Sequence, residues 1–219
     1  MRRALAVVAM VALVACSGDD SVSSSVTIGQ GAESSEAAVE ELRALLTEGD
    51  FAAAGSLAVP NQAALASLAE GAGIEQVADA LEDGDAEIAA NFWGGFAQGV
   101  GEVFTNELVI EEQGTTTEGG VDFYMVGVTP DGGTERLIVT RDGDGHRIDL
   151  FASFGAGLAE GMISPVEILL GTSNEDSQAI LGALQEVVPS LLVAASDPAL
   201  SPEAVQSVLQ LVELITRVG

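Results

Sequence analysis

The chain carries few groups able to do chemistry. Its 219 residues include one histidine, His146, one cysteine, Cys16, one tyrosine, Tyr124, one tryptophan, Trp93, and no lysine. A Ser-His-Asp triad would have to use His146, yet no nucleophile elbow is present, so a solvated or half-buried strand histidine is the better reading. Zinc asks for three or four His, Cys or carboxylate ligands, and one histidine cannot anchor such a site; neither a metal nor a cofactor is expected. Asp142-Gly143-Asp144-Gly145 opens like a calcium loop, but His146, Arg147 and Ser153 stand where the loop needs an oxygen ligand, a glycine and a glutamate. It reads as a hairpin turn. Gly155-Ala156-Gly157-Leu158-Ala159-Glu160-Gly161 has its third glycine one place late for a dinucleotide loop, and no parallel strand follows. Close helix packing is the plain explanation, and Gly95 and Gly99 take the same reading.

A candidate pocket remains. Phe92, Trp93 and Phe96 put large apolar rings on one helix, either as core or as the aromatic lining of a small-molecule site. Tyr124, Asp122 and Asp149 would supply its polar groups. General acid-base work by any of these needs a pKa moved toward the working pH by burial. A carboxylate pair cannot be picked out of 34 acids by sequence, because the diagnostic quantity is separation in space.

The elements that must position these residues are legible from periodicity. Glu36 to Glu48 repeats Val39, Leu42, Leu45 and Leu46 at helical spacing and closes at Gly49-Asp50. Helices follow from Asp50 to Val59, from an Asn61 cap to Gly71, from Ile74 to Gly84, and from Asp85 through Ile88, Phe92, Phe96, Val100, Val103 and Phe104. At Glu107 the period changes. Leu108 to Glu112, Val121 to Val128, Thr134 to Thr140 and His146 to Ser153 read as strands, divided by glycine-rich turns that accept positive φ. Ser164-Pro165-Val166-Glu167 resembles a capping box, Asn174 caps an apolar helix bent near Pro189, and Ser201-Pro202-Glu203 starts a last helix with Val205, Val208, Leu209, Val212 and Ile215 as its stripe.

These elements predict an α+β fold: amino-terminal helices, a four-stranded antiparallel meander, and a carboxy-terminal helical layer. The strands have apolar residues on both faces, whereas a sheet with one wet face alternates apolar and polar. Val121, Phe123 and Met125 point opposite to Tyr124, Val126 and Val128, Leu137 and Val139 oppose Ile138, and Ile148 and Leu150 oppose Phe151. The tail, 155–219, is therefore expected to cover one face, burying residues such as Tyr124, Val126, Ile138 and Phe151.

At roughly 150 residues per domain the length suits one good-sized domain. Acids outnumber arginines 34 to 7, for a net charge of −27, yet 47% of the chain is hydrophobic. That hydrophobicity excludes general disorder, and a lysine-free acidic chain would be repelled by phosphate backbones, so nucleic acid is not an expected partner.

Met1 to Ala15 places Arg2 and Arg3 before twelve small apolar residues, Ala4 to Ala15. This pattern is that of an export signal. At ~1.5 Å per residue the run spans roughly 18 Å, short of the ~30 Å hydrocarbon core of a bilayer. Leu13-Val14-Ala15-Cys16 resembles the lipobox of bacterial lipoproteins. The resemblance implies cleavage before Cys16, acylation of its sulfur and new amino group, and a membrane partner through that anchor, on the outer side of the cell membrane or on an outer membrane. More than one acyl chain holds firmly where a single chain is marginal. The mature chain would keep five arginines against 34 acids, 29 net negative, and stand off an anionic lipid surface. Residues 16–35 are expected to form the lipidated cysteine and a flexible Ser-, Gly- and acid-rich tether reaching roughly 25 Å, and 36–219 a single α+β domain.

Glu48-Gly49-Asp50-Phe51-Ala52-Ala53-Ala54 is similar to the acid-glycine-aromatic entry into the second helix of nuclear transport factor 2-like domains. Asp144-Gly145-His146-Arg147-Ile148-Asp149 is similar to a late strand of that family, where an aromatic commonly takes the place of His146. The resemblance covers about residues 36–154 and leaves the tail outside it. The family hosts isomerases, dehydratases and binding modules, so the fold alone does not choose. Two readings follow: a non-catalytic exported module binding a small ligand or an envelope protein, or an acid-base enzyme using Asp122, Asp149 or Tyr124 in a cone-shaped apolar pocket.

Overall fold

A computed structural model of the chain describes residues 31–84, 86–105, 109–128, 136–143 and 145–217. Cys16, the expected tether up to Gln30, the expected Asp85 cap and the turn at Pro130–Gly133 lie outside them, as do the side chains of Gly99, Val100, Val103 and Phe104. The order is α1 (Ser35–Glu48), α2 (Phe51–Ser56), α3 (Gln62–Ala66), a 3₁₀ turn (Ser67–Glu70), α4 (Ile74–Asp83), α5 (Ala86–Thr105), β1 (Glu111–Glu118), β2 (Val121–Gly127), β3 (Arg136–Asp142), β4 (Gly145–Ile148), α6 (Leu150–Leu170), α7 (Glu175–Glu186), α8 (Val188–Ala195) and α9 (Pro202–Thr216). The sheet is an antiparallel meander, β1-β2-β3-β4. The chain thus has the α+β architecture its periodicities predict, helices first, sheet next, helices last.

Several helix ends form where the local chemistry puts them. Ser34, Asp50, Asn174 and Ser201 each accept a hydrogen bond from a first-turn N–H, and Gly49 ends α1 in the left-handed conformation. Asn61 departs from expectation: it lies at φ 69° and makes no side-chain cap. The folded part also begins earlier than residue 36. Ala32 is buried and exchanges backbone hydrogen bonds with His146, which takes Gly31–Ser35 out of the expected tether.

Two stretches differ more. The first strand is not 108–112 but Glu111–Glu118, so Gly-Thr-Thr-Thr-Glu pairs with β2 instead of turning. The turn is only Gly119-Gly120, at φ 59° and 82°, the two positive values a tight two-residue hairpin demands. The fourth strand stops at Ile148 rather than Ser153. Leu150 and Phe151 belong to α6, which continues unbroken past Ser164-Pro165, so no helix starts there. Pro165 removes a helical hydrogen bond, but Met162, Val166 and Leu169, all fully buried, hold the turns on both sides of it. At Gly161 a Cβ would stand 2.8 Å from the Ala69 carbonyl oxygen, so only glycine lets α6 approach the 3₁₀ turn. Gly155 has the same packing role against Ala194 and Leu191 of α8, whereas Gly95 faces open space.

Both faces of the sheet are covered, with the assignments redistributed. Tyr124, Val126, Val128, Leu137, Val139 and Ile148 join the main core with α1, α5 and α6. Phe123 and Ile138, flanked by Val121 and Met125, pack on Ala152 of α6 and Val193 of α8. Tyr124 and Ile138 are thus on opposite faces, as their partners Val139 and Met125 require, and Phe151 is not on the sheet. The helices α7 and α9 pack chiefly on α4, α6 and α8. On α9 the buried stripe is Val208, Leu211, Leu214 and Ile215, and Leu209 is exposed.

Candidate functional site

The six proposed pocket residues separate into three places. Phe92 and Trp93 are core: Trp93 is 0% exposed, and its ring meets Phe92 and Phe96 edge-on at 5.3 Å. Phe154 of α6 tilts against Phe92 and Phe96, so this cluster welds α5 to α6 rather than lining a site. The indole Nε1 has no hydrogen-bond partner among the described residues.

Asp149 sits at the other side of the sheet and is 2% exposed. Its N–H bonds to the Ile138 carbonyl of β3 at 2.8 Å, which ends β4 and aims the chain into α6. One carboxylate oxygen caps α6 by accepting from the Ala152 N–H at 2.8 Å, and the other accepts from the Ser190 hydroxyl of α8 at 2.8 Å. Gln62 of α3 accepts from the Leu150 N–H at 2.6 Å. Burial raises the Asp149 pKa, while hydrogen bonds from Ala152, Ser190 and Gln62 pull it down. The two oxygens are committed to α6 and α8 and the backbone N–H to β3, which makes Asp149 a structural peg and not a pocket acid.

This peg has a pH signature. A carboxyl whose folded pKa lies above its unfolded value binds more protons in the native state, so its contribution to stability falls as pH rises through the interval between the two. An asparagine in its place would keep the cap and the Ser190 contact without titrating. Asp149→Asn is therefore expected to lose stability less steeply than wild type as pH rises above the ordinary aspartate range, as measured by urea unfolding across a pH series. Parallel slopes would refute it.

Tyr124 and Asp122 are the two candidates that do come together, on the sheet face turned toward α1. The Tyr124 ring meets the edge of His146 at 5.1 Å. Asp122, exposed, accepts from the Thr117 hydroxyl across the strand pair at 2.7 Å. The register sets Arg141, exposed, opposite His146. His146 is half-buried, as its strand position predicts, and its Nδ1 is shielded from solvent with no hydrogen-bond partner among the described residues. Tyrosine, histidine, carboxylate and guanidinium thus share one end of one face, an arrangement able to hydrogen-bond a polar ligand.

Sequence reasoning missed the buried Arg147, which pairs with Asp142 at 3.0 Å and donates to the Ser56 carbonyl at 2.6 Å, fastening β4 to α2. It also missed Gln62 and Ser190; an arginine on β4 five residues after an acid at the end of β3 could have been suspected as its partner from the hairpin, but the partners of Asp149 could not. Among the described residues no group of three or more His, Cys, Asp or Glu could hold a metal, and no single helix is long and apolar enough to cross a membrane. The α7–α8 pair, bent by 48° as the sequence around Pro189 predicts, passes that test jointly, but Ile180, Leu184 and Leu191 are spent in the core. No family model, curated protein or solved structure matches the chain.

Proposed function

We propose that the protein is an exported lipoprotein, held in the membrane by acylated Cys16, whose α+β domain is a non-catalytic module binding a ligand or partner at the cell envelope. The observation that carries the anchor is Leu13-Val14-Ala15-Cys16 directly behind the arginine-led apolar run. If residues 16–30 form the expected flexible tether, about fifteen such residues would reach roughly 20 Å. Binding is favoured over acid-base catalysis because Asp149 is consumed by its cap and Trp93 by the core. Asp122 stands exposed, without the burial that fits a carboxyl for acid-base work. Labelled palmitate fed to cells is expected to mark the wild-type protein and not Cys16→Ser. Equal labelling of the two would remove the anchor.

A further inference from the structure

The geometry points to the outer edge of β1 as a docking edge for an extended, basic segment of a partner protein, which joins the sheet there as a fifth strand. This rests on the partner-binding reading and says where and what the partner is. The two edges of the sheet are treated differently. Beyond β4, Ala32 and His146 exchange hydrogen bonds at 2.9 and 2.8 Å, and Leu57 and Val59 bond to both sides of Ile148. Beyond β1, no described residue offers a backbone hydrogen bond. Glu111, Glu112, Gln113, Thr115, Thr116 and Thr117 are all exposed there. A bulge interrupts the pairing at Gln113, but Gly114 to Glu118 run in unbroken register with Met125 to Val121, a straight template whose outward N–H and C=O groups can pair with an added strand.

Charge selects the occupant. The strand carries Glu111, Glu112 and Glu118 and no base. A second copy pairing antiparallel about the strand centre would set Glu111 against Glu118, and like charges directly opposite destabilise a strand pair. The chain's own 17–30 segment has no base, and its only charges are Asp19 and Asp20, so it brings no charge attraction to the edge. A segment with Lys or Arg at its ends meets attraction instead, and Thr115 to Thr117 favour β-branched or hydroxyl residues between them.

The test uses the purified mature protein and a fluorescent peptide, Lys-Val-Thr-Val-Thr-Val-Lys. Two controls accompany it, one with Glu for Lys and one N-methylated at every valine and threonine. The first is expected to bind and both controls to bind at least about tenfold more weakly, a difference of ~1.4 kcal/mol. Glu111→Lys with Glu118→Lys should reverse the preference between the Lys and Glu peptides. Equal binding of the N-methylated peptide would mean charge attraction without strand addition and would overturn the proposal. So would binding of none of the peptides, or protection from exchange of those β1 amides that face away from β2 in the isolated protein, which would put a second copy or the chain's own amino-terminal segment on the edge. A partner cross-linked in cells to another face would leave the binding reading intact and remove only this edge.

Discussion

A chain ending at Gly171 keeps α1 to α6 and the whole sheet, and it is expected to lose cooperative unfolding and to aggregate. Ile180, Leu184, Leu191, Val208, Leu211 and Ile215 would be gone, and each is 0% exposed in the intact protein. At ~1.5 to 3 kcal/mol per buried side chain, these six rival or exceed the ~5 to 15 kcal/mol that holds a typical domain together. The loss would also bare Leu158, Met162 and Leu169 along α6 and Phe123 and Ile138 on the sheet. Circular dichroism melts and sedimentation read the outcome. A monomer that melts as sharply as the full mature chain would make the tail a separable arm.

Trp93→Ala is expected to destabilise the fold by about 3 to 5 kcal/mol, the range for emptying a large aromatic site in a packed core. Trp93→Phe should be milder, since a ring would still meet Phe92 and Phe96 and the unpartnered Nε1 would be gone. Urea unfolding of the two variants measures this. Had Trp93 lined a ligand cavity, its truncation would leave stability within about 1 kcal/mol of wild type and act on binding instead, so the pair of variants separates core from pocket.

The fold is legible wherever a short stretch of chain settles its own conformation. Asp50, Asn174 and Ser201 cap their helices because the acceptor and the N–H lie three residues apart, and that spacing is visible in sequence. The alternation of β2 and β3 likewise announces two buried faces. Legibility fails where distant partners decide. Thr115 to Thr117, bounded by glycines, resemble a turn until β2 pairs with them. Ser164-Pro165 carries a start signal that the burial of Met162, Val166 and Leu169 overrides. Asp149 stands out in sequence as a residue of consequence, but as a pocket acid, which is the wrong role; its partners Ser190 and Gln62 come from 41 residues downstream and from α3. Of the polar residues at the candidate site, Asp122 and Tyr124 can be placed on one face by alternation alone, while the company of Arg141 and His146 requires the β2–β3–β4 register.

The central claim is that sheet, amino-terminal helices and tail form one cooperative body, with Asp149, Trp93 and the α6 core as its internal fastenings. Native-state hydrogen exchange of the full mature chain tests this most directly, because separable regions open at lower free energy than the global transition. The account predicts that the slowest amides of β2, β3, α6 and α9 share one opening free energy equal to that of global unfolding. Amides of α7 to α9 exchanging through a distinct opening several kcal/mol lower, with the sheet still protected, would contradict it.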